Sequence, residues 1–146
     1  MTIKTEAATS KFLEGFNCAQ SVLFSFCDDL QLDKNSALKL SCGFGGGMGR
    51  KEEVCGAVSG GIMAIGLKYG KFEKSDKTSM DITYKKTREL MDAFAEKQGT
   101  FICRKLLGGC ELTTDEGQKQ FKELDLRNKV CVPCVQNAVE ITEGIL

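Results

Sequence analysis

The chemistry open to this chain resides in sulfur. Its 146 residues include eight cysteines, Cys18, Cys27, Cys42, Cys55, Cys103, Cys110, Cys131 and Cys134, and no histidine. Without imidazole there is no Ser-His-Asp or Cys-His catalysis, no mixed Cys/His zinc site and no axial haem histidine. The thiolate is then the nucleophile and the metal ligand to consider. The opening segment, MTIKTEAATSKFLEGF, has no apolar run behind a basic start and no small-residue cleavage site. A secretory leader is therefore not expected, and a cytoplasmic location is. In a reducing compartment an even set of thiols points to metal or redox chemistry rather than to a permanent disulfide framework.

The cysteines differ in what their neighbours allow. Cys131-Val-Pro-Cys134 is the only CxxC, with the proline of thioredoxin-like sites. That fold presents its CxxC after a strand and against a second, cis proline, whereas Pro133 is the only proline here and no strand pattern precedes it. A dithiol on another fold remains, and Val135 stands where a c-type haem site needs histidine. Structural zinc prefers two close ligand pairs, and a single CxxC makes it possible but not favoured. Cys27 falls on an apolar helical stripe beside Leu23 and Leu30 and reads as a small core residue. Cys42 and Cys110 each adjoin glycine at a helix end, where they are ligands, a peripheral redox pair or merely small exposed residues.

Cys55 is better placed. It opens the run VCGAVSGGIMAIGL, and a helix N-terminus stabilises a thiolate through free N–H groups and the dipole. The glycine-rich stretch CGFGGGMGR before it invites a phosphate-loop reading, but the spacing fails. Arg50 stands where a Walker loop needs the glycine before Lys51, and Met48 where a dinucleotide fingerprint starting at Gly43 needs its third. Those glycines permit left-handed turns and a close helix approach, with Gly56, Gly60 and Ala64 forming a small-residue stripe, and the loop is expected to serve Cys55.

Helical periodicity supplies the elements that position these residues. Phe12, Phe16, Ala19, Leu23, Phe26 and Leu30 predict one amphipathic helix over 12–30, loosened near Gly15. A short helix over 33–40 follows with Asp33 as N-cap, then the buried helix over 54–67. The segment 75–98 places Met80, Tyr84, Thr87, Met91 and Phe94 on one face and ends at Gly99. Thr100 caps a short helix carrying Phe101, Cys103, Leu106 and Leu107, Thr114 caps another, and the last begins at Val132 or Pro133 and buries Val135, Val139, Thr142 and Leu146. No alternating strand is readable. The class is all-α, a single-domain bundle over 1–146 of six or seven helices around a buried glycine-rich central helix.

Twenty Lys plus Arg balance twenty Asp plus Glu, so nucleic acid and anionic membranes are not expected partners. The uncharged stretch 54–67 is shorter than the roughly 18 residues a membrane span needs, so no membrane insertion is expected. The chain should fold alone or as a homo-oligomer.

In order, these features resemble the family of redox-active proteins named for a C, GCAxxG, C, C cysteine pattern. The central motif appears as Cys55-Gly56-Ala57-Val58-Ser59-Gly60 between GFGGGMGR and IMAIGLKYG, FNCAQSVL at 16–23 looks like the N-terminal cysteine helix, and CRKLLG at 103–108 like the third cysteine. CVPCVQNAVEI offers two candidates for the fourth, and Cys131 is preferred over Cys134 because it lies one turn before Val135 on the core stripe. The resemblance implies four functional cysteines, Cys18, Cys55, Cys103 and Cys131. It extends to a domain of multihaem cytochromes that carries an iron–sulfur centre, though no CxxCH occurs here. Four such thiolates suit a [2Fe–2S] or [4Fe–4S] cluster used for electron transfer with a redox protein partner. The alternatives are a thiol–disulfide protein, with Cys55 and Cys131 as its redox-active (catalytic) residues, and a metal-binding accessory or sensor domain without turnover.

Overall fold

The computed structural model describes residues 1–146. Seven helices of eight residues or more follow one another: α1 (Ile3–Leu13), α2 (Cys18–Ser25), α3 (Lys34–Ser41), α4 (Gly56–Tyr69), α5 (Ser79–Gln98), α6 (Asp115–Glu123) and α7 (Val132–Ile145). Single helical turns at Cys27–Leu30, Cys42–Phe44 and Cys103–Leu106, a left-handed turn within Gly45–Met48 and a π-helical turn at Arg127–Cys131 connect them. There is no strand, only one isolated antiparallel bridge between Val54 and Ile102. The all-α expectation holds.

The glycine-rich helix α4 is the centre of the bundle, packing on α2, α5 and α7. Its Ala57, Val58, Ala64 and Ile65 are fully buried with Leu23 and Phe26 of the α2 segment, Leu90 and Phe94 of α5, and Val135 and Val139 of α7. The small-residue stripe does what its spacing implies. A Cβ added at Gly60 would stand 2.7 Å from the Ala19 carbonyl oxygen and 2.9 Å from Val22 Cβ, and one at Gly56 3.2 Å from the Ala19 nitrogen. Gly60→Leu is therefore expected to cost about 1–3 kcal/mol or more by overpacking, because backbone cannot yield as a flexible side chain does. Denaturant unfolding checks this, and an unchanged midpoint would rule out the close approach.

The single helix expected over 12–30 is two helices and a turn. Gly15 takes φ +112°, which breaks the chain after α1, and Asn17 restarts it. Asn17 Oδ1 accepts from Gln20 N at 3.0 Å while Gln20 Oε1 accepts from Asn17 N at 3.0 Å, a reciprocal cap that outweighs the continuity of the stripe. The helix before it, α1, had no readable stripe because one of its buried residues is Thr5. That hydroxyl donates to the Thr2 carbonyl at 2.7 Å and so tolerates full burial.

Asp33 caps α3 by accepting from Ser36 N at 2.8 Å, Thr114 caps α6 by accepting from Gly117 N at 2.9 Å, and Gly99 ends α5 at φ +90°. Thr100 is not the cap expected of it: its Oγ1 accepts from Ile102 N at 3.1 Å, Ile102 is the N-cap of the turn Cys103–Leu106, and Phe101 lies before that turn. α5 begins later than expected, because Asp76 Oδ1 takes the N–H groups of Thr78 and Ser79 in a turn of its own. Of the face expected along α5 only Phe94 is fully buried, joined by Leu90, whereas Met80 and Tyr84 are 46% and 56% exposed. The first half of α5 extends past the helices that cover its second half. No helix is long and apolar enough to cross a membrane.

Candidate functional site

Four chain segments enter helices at one cavity. Asn17 caps α2 so that Cys18 is its first residue, and Cys55 occupies the N-cap of α4. Cys103 is the first residue of the turn Cys103–Leu106, and Cys131 closes the π-turn as the N-cap of α7. All four line a partly open cavity of about 390 Å³, and Cys134, one turn into α7, lines it with them. Cys55, Cys103 and Cys134 are buried, Cys18 and Cys131 half-buried, and none is in a disulfide.

Pairing of two loops brings Cys55 and Cys103 together. Cys55 N donates to the Phe101 carbonyl at 2.8 Å, Cys103 N to that of Glu53 at 2.7 Å and Arg104 N to that of Glu52 at 3.2 Å. The glycine-rich loop sits against this pairing. Gly46, Gly47, Met48, Gly49 and Arg50 all have φ between +60° and +72°, a left-handed turn that leads into Glu52 at +61°. Three of these residues are not glycine, a strain of about 1–2 kcal/mol each. Gly47 is glycine for want of room, since a Cβ there would lie 2.8 Å from Cys103 Cβ and 2.7 Å from the backbone of Glu52 and Glu53.

The loop thus buttresses Cys103 and borders the cavity through Gly46, Gly47 and Arg50. The donors expected from it on Cys55 come instead from that residue's own helix. Cys55 is held below the ordinary thiol value, first by a hydrogen bond from the Cys134 thiol and then by the N–H groups of Ala57 and Val58, against the opposing effect of burial. Cys134 is raised correspondingly, by that bond and by burial. It also stands 3.9 Å from Gln98 Oε1. Cys18 keeps its proton well above the ordinary range, through its hydrogen bond to Cys131 and then burial. Burial, with the charges of Cys55, Cys131 and Glu52, pushes Cys103 up to about 12.

Cys55 is therefore the acidic thiol of the group in metal-free protein. Its alkylation by iodoacetamide, followed against pH in a variant that retains Cys134, is expected to show a midpoint below that of a free cysteine. An ordinary midpoint would contradict the assignment.

Glu52 is a buried carboxylate beside the site, 3% exposed. Its Oε1 accepts from Leu112 N at 3.1 Å and lies 3.9 Å from Arg104 Nη2, while Oε2 has no partner. No three Cys, Asp or Glu side chains are arranged to share one metal ion.

The remaining cysteines lie elsewhere. Cys27 is 1% exposed in the main core, its thiol 3.6 Å from the Leu23 carbonyl, as its stripe implied. Cys42 is exposed, and Cys110 is buried with its thiol donating to the Gly117 carbonyl at 3.1 Å, so Cys110 is not the exposed residue its glycine neighbour allowed. Neither lines the cavity. Cys134, set aside on sequence, belongs to the cavity. The signal for it was present, because positions three apart share one side of a helix, so a CxxC at a helix start turns both sulfurs the same way.

No curated protein and no solved structure matches the chain. A family model described as "Putative redox-active protein (C_GCAxxG_C_C)" matches residues 16–145, a span that includes all five cavity cysteines.

Proposed function

The chain belongs to the C_GCAxxG_C_C family of redox-active proteins, and from that premise we propose that Cys18, Cys55, Cys103 and Cys131 hold an iron–sulfur cluster, [2Fe–2S] or [4Fe–4S], which exchanges electrons with a redox protein partner. One observation carries the reading: all four cysteines line one cavity, Cys18, Cys55 and Cys103 at the start of a helix or helical turn and Cys131 where the π-turn runs into α7. Thiolate ligands bring net negative charge, and helix N-termini offset such charge with free N–H groups and aligned dipoles. The donor set also fits. It is all sulfur, without histidine, and four of its thiols line one cavity, which suits an iron–sulfur core better than a mixed Cys/His zinc site.

When bound, the group supplies one-electron storage. The chain's own residues do the rest. The Cys134 thiol, and after it the N–H groups of Ala57 and Val58, favour the thiolate of Cys55, and Phe12, Phe16, Leu106, Leu107 and Leu112 limit water at the site.

A second reading is favoured by the Cys55–Cys134 contact. A thiol held below its ordinary value in the same cavity as a buried thiol held above its own suits a dithiol couple, which would use Cys55 with Cys134.

Anaerobic purification with a visible spectrum and iron, sulfide and zinc analysis separates the two. Brown protein containing iron and acid-labile sulfide is the expected result. Colourless protein that resists iron–sulfide reconstitution yet cycles reversibly between dithiol and disulfide against glutathione overturns it.

A further inference from the structure

We propose that the thiol cavity also binds a small organic carboxylate with an apolar body, its carboxylate held by Arg50 and Arg127. This rests on the reading of the cavity as the redox centre and adds the class of molecule admitted to it. The volume, about 390 Å³, falls in the range of small-molecule pockets, roughly 300–1,000 Å³. Beside the thiols the wall is largely apolar, with the rings of Phe12, Phe16 and Phe121, and its charged residues are Arg50 and Arg127 alone. No Asp, Glu or Lys lines it.

Neither arginine makes an ion pair in the protein. Arg127 lies 5.3 Å over the Phe12 ring and donates one Nη2 hydrogen bond to the Phe12 carbonyl at 2.9 Å. A guanidinium has five N–H donors, so most of its capacity stays free. Arg50 is set by the left-handed loop, its side chain folded over Gly46, where an added Cβ would lie 2.9 Å from Arg50 Cγ.

Two forked donors without acidic partners in an apolar wall suit a carboxylate at the end of an apolar molecule. The apolar wall, rather than any shortage of donors, favours an anion carried on an apolar body over a bare phosphate dianion. The one amide in the wall, Asn17, is engaged with the Cys42 carbonyl and Gln20 N.

The test titrates reduced protein, under argon, with 4-phenylbutyrate and with its uncharged isostere 4-phenylbutyramide by calorimetry. One saturable site for the acid is expected, with the amide at least tenfold weaker. Arg127→Gln should weaken the acid about tenfold and leave the amide unchanged, and Arg50→Gln, at an exposed residue whose loss does not threaten folding, should act in the same direction. Equal affinity for acid and amide, no saturable binding of the acid, or full acid affinity in both variants overturns the proposal. Iron, sulfide and the visible spectrum of the same samples report the cluster independently. Protein that resists iron–sulfide reconstitution yet still prefers the acid refutes the cluster alone, and brown protein without the preference refutes the carboxylate site alone.

Discussion

Alanine at Cys55 is expected to reduce the visible absorption of anaerobically isolated protein to background. Cys55 is 6% exposed, and no histidine or other thiol stands at the start of α4 to replace its sulfur as a ligand. Cys18→Ala, Cys103→Ala and Cys131→Ala should do the same, since a cluster with three thiolates and no fourth donor is lost or labile. Cys27→Ala should keep the colour at the cost of some core packing, because its thiol lies in the main core and not at the cavity. Cys42→Ala, at an exposed position, should change neither.

Cys134→Ala is the discriminating variant. It removes a hydrogen bond to the Cys55 sulfur, and such bonds tune reduction potentials, so retained colour with a shifted potential is expected. Bleaching by Cys134→Ala together with retained colour in Cys131→Ala would exchange the fourth ligand. Retained colour in all four expected ligand variants would refute the cluster at this site.

Metal-free, reduced protein is expected to be most stable near pH 9 and to lose stability steeply above it. Cys103 binds its proton up to about 12 in the folded protein, against an ordinary thiol value of 9.0. Between those values the folded state holds more protons than the unfolded chain, so raising pH favours unfolding. Three pKa units correspond to an upper bound of about 4 kcal/mol, less in practice because the site is partly open to solvent. Cys18 and Cys134, also raised, act in the same direction. Cys55 acts oppositely. Its folded value is depressed, so its contribution is fully present above the ordinary value and disappears as pH falls through the depressed one. Denaturant midpoints from pH 7 to 12 check this, and Cys103→Ala should flatten the alkaline limb. A midpoint independent of pH above 9 would show that the thiols are not buried together.

Much of this architecture is local and was legible. Helical spacing over 54–67 and 132–146, the caps Asp33 and Thr114, and the stop at Gly99 all rest on groups within a few residues of one another. Where local signals competed, the stripe misled. Phe12 to Leu30 keeps helical spacing through a break, because the apolar pattern records which side faces the core and not whether the backbone is continuous. The outer half of α5 shows the converse: Met80 and Tyr84 carry the period of a buried face, but no neighbour reaches them.

For the site the division falls along chain separation. The sequence by itself determined the donors, eight thiols and no imidazole, and placed Cys55 at the start of a buried helix where glycines admit a neighbour. Resemblance to a cysteine pattern then marked four of them. Only the tertiary structure decided that residues 52–55 pair with 101–104, that Cys134 enters the cavity with Cys131, and that Arg50 and Arg127 share its wall without acidic partners. Sequence spacing reports contacts within one helix, where geometry is repetitive. These contacts join segments tens of residues apart, and their geometry is set by how closely Gly47, Gly56 and Gly60 let neighbouring backbones approach.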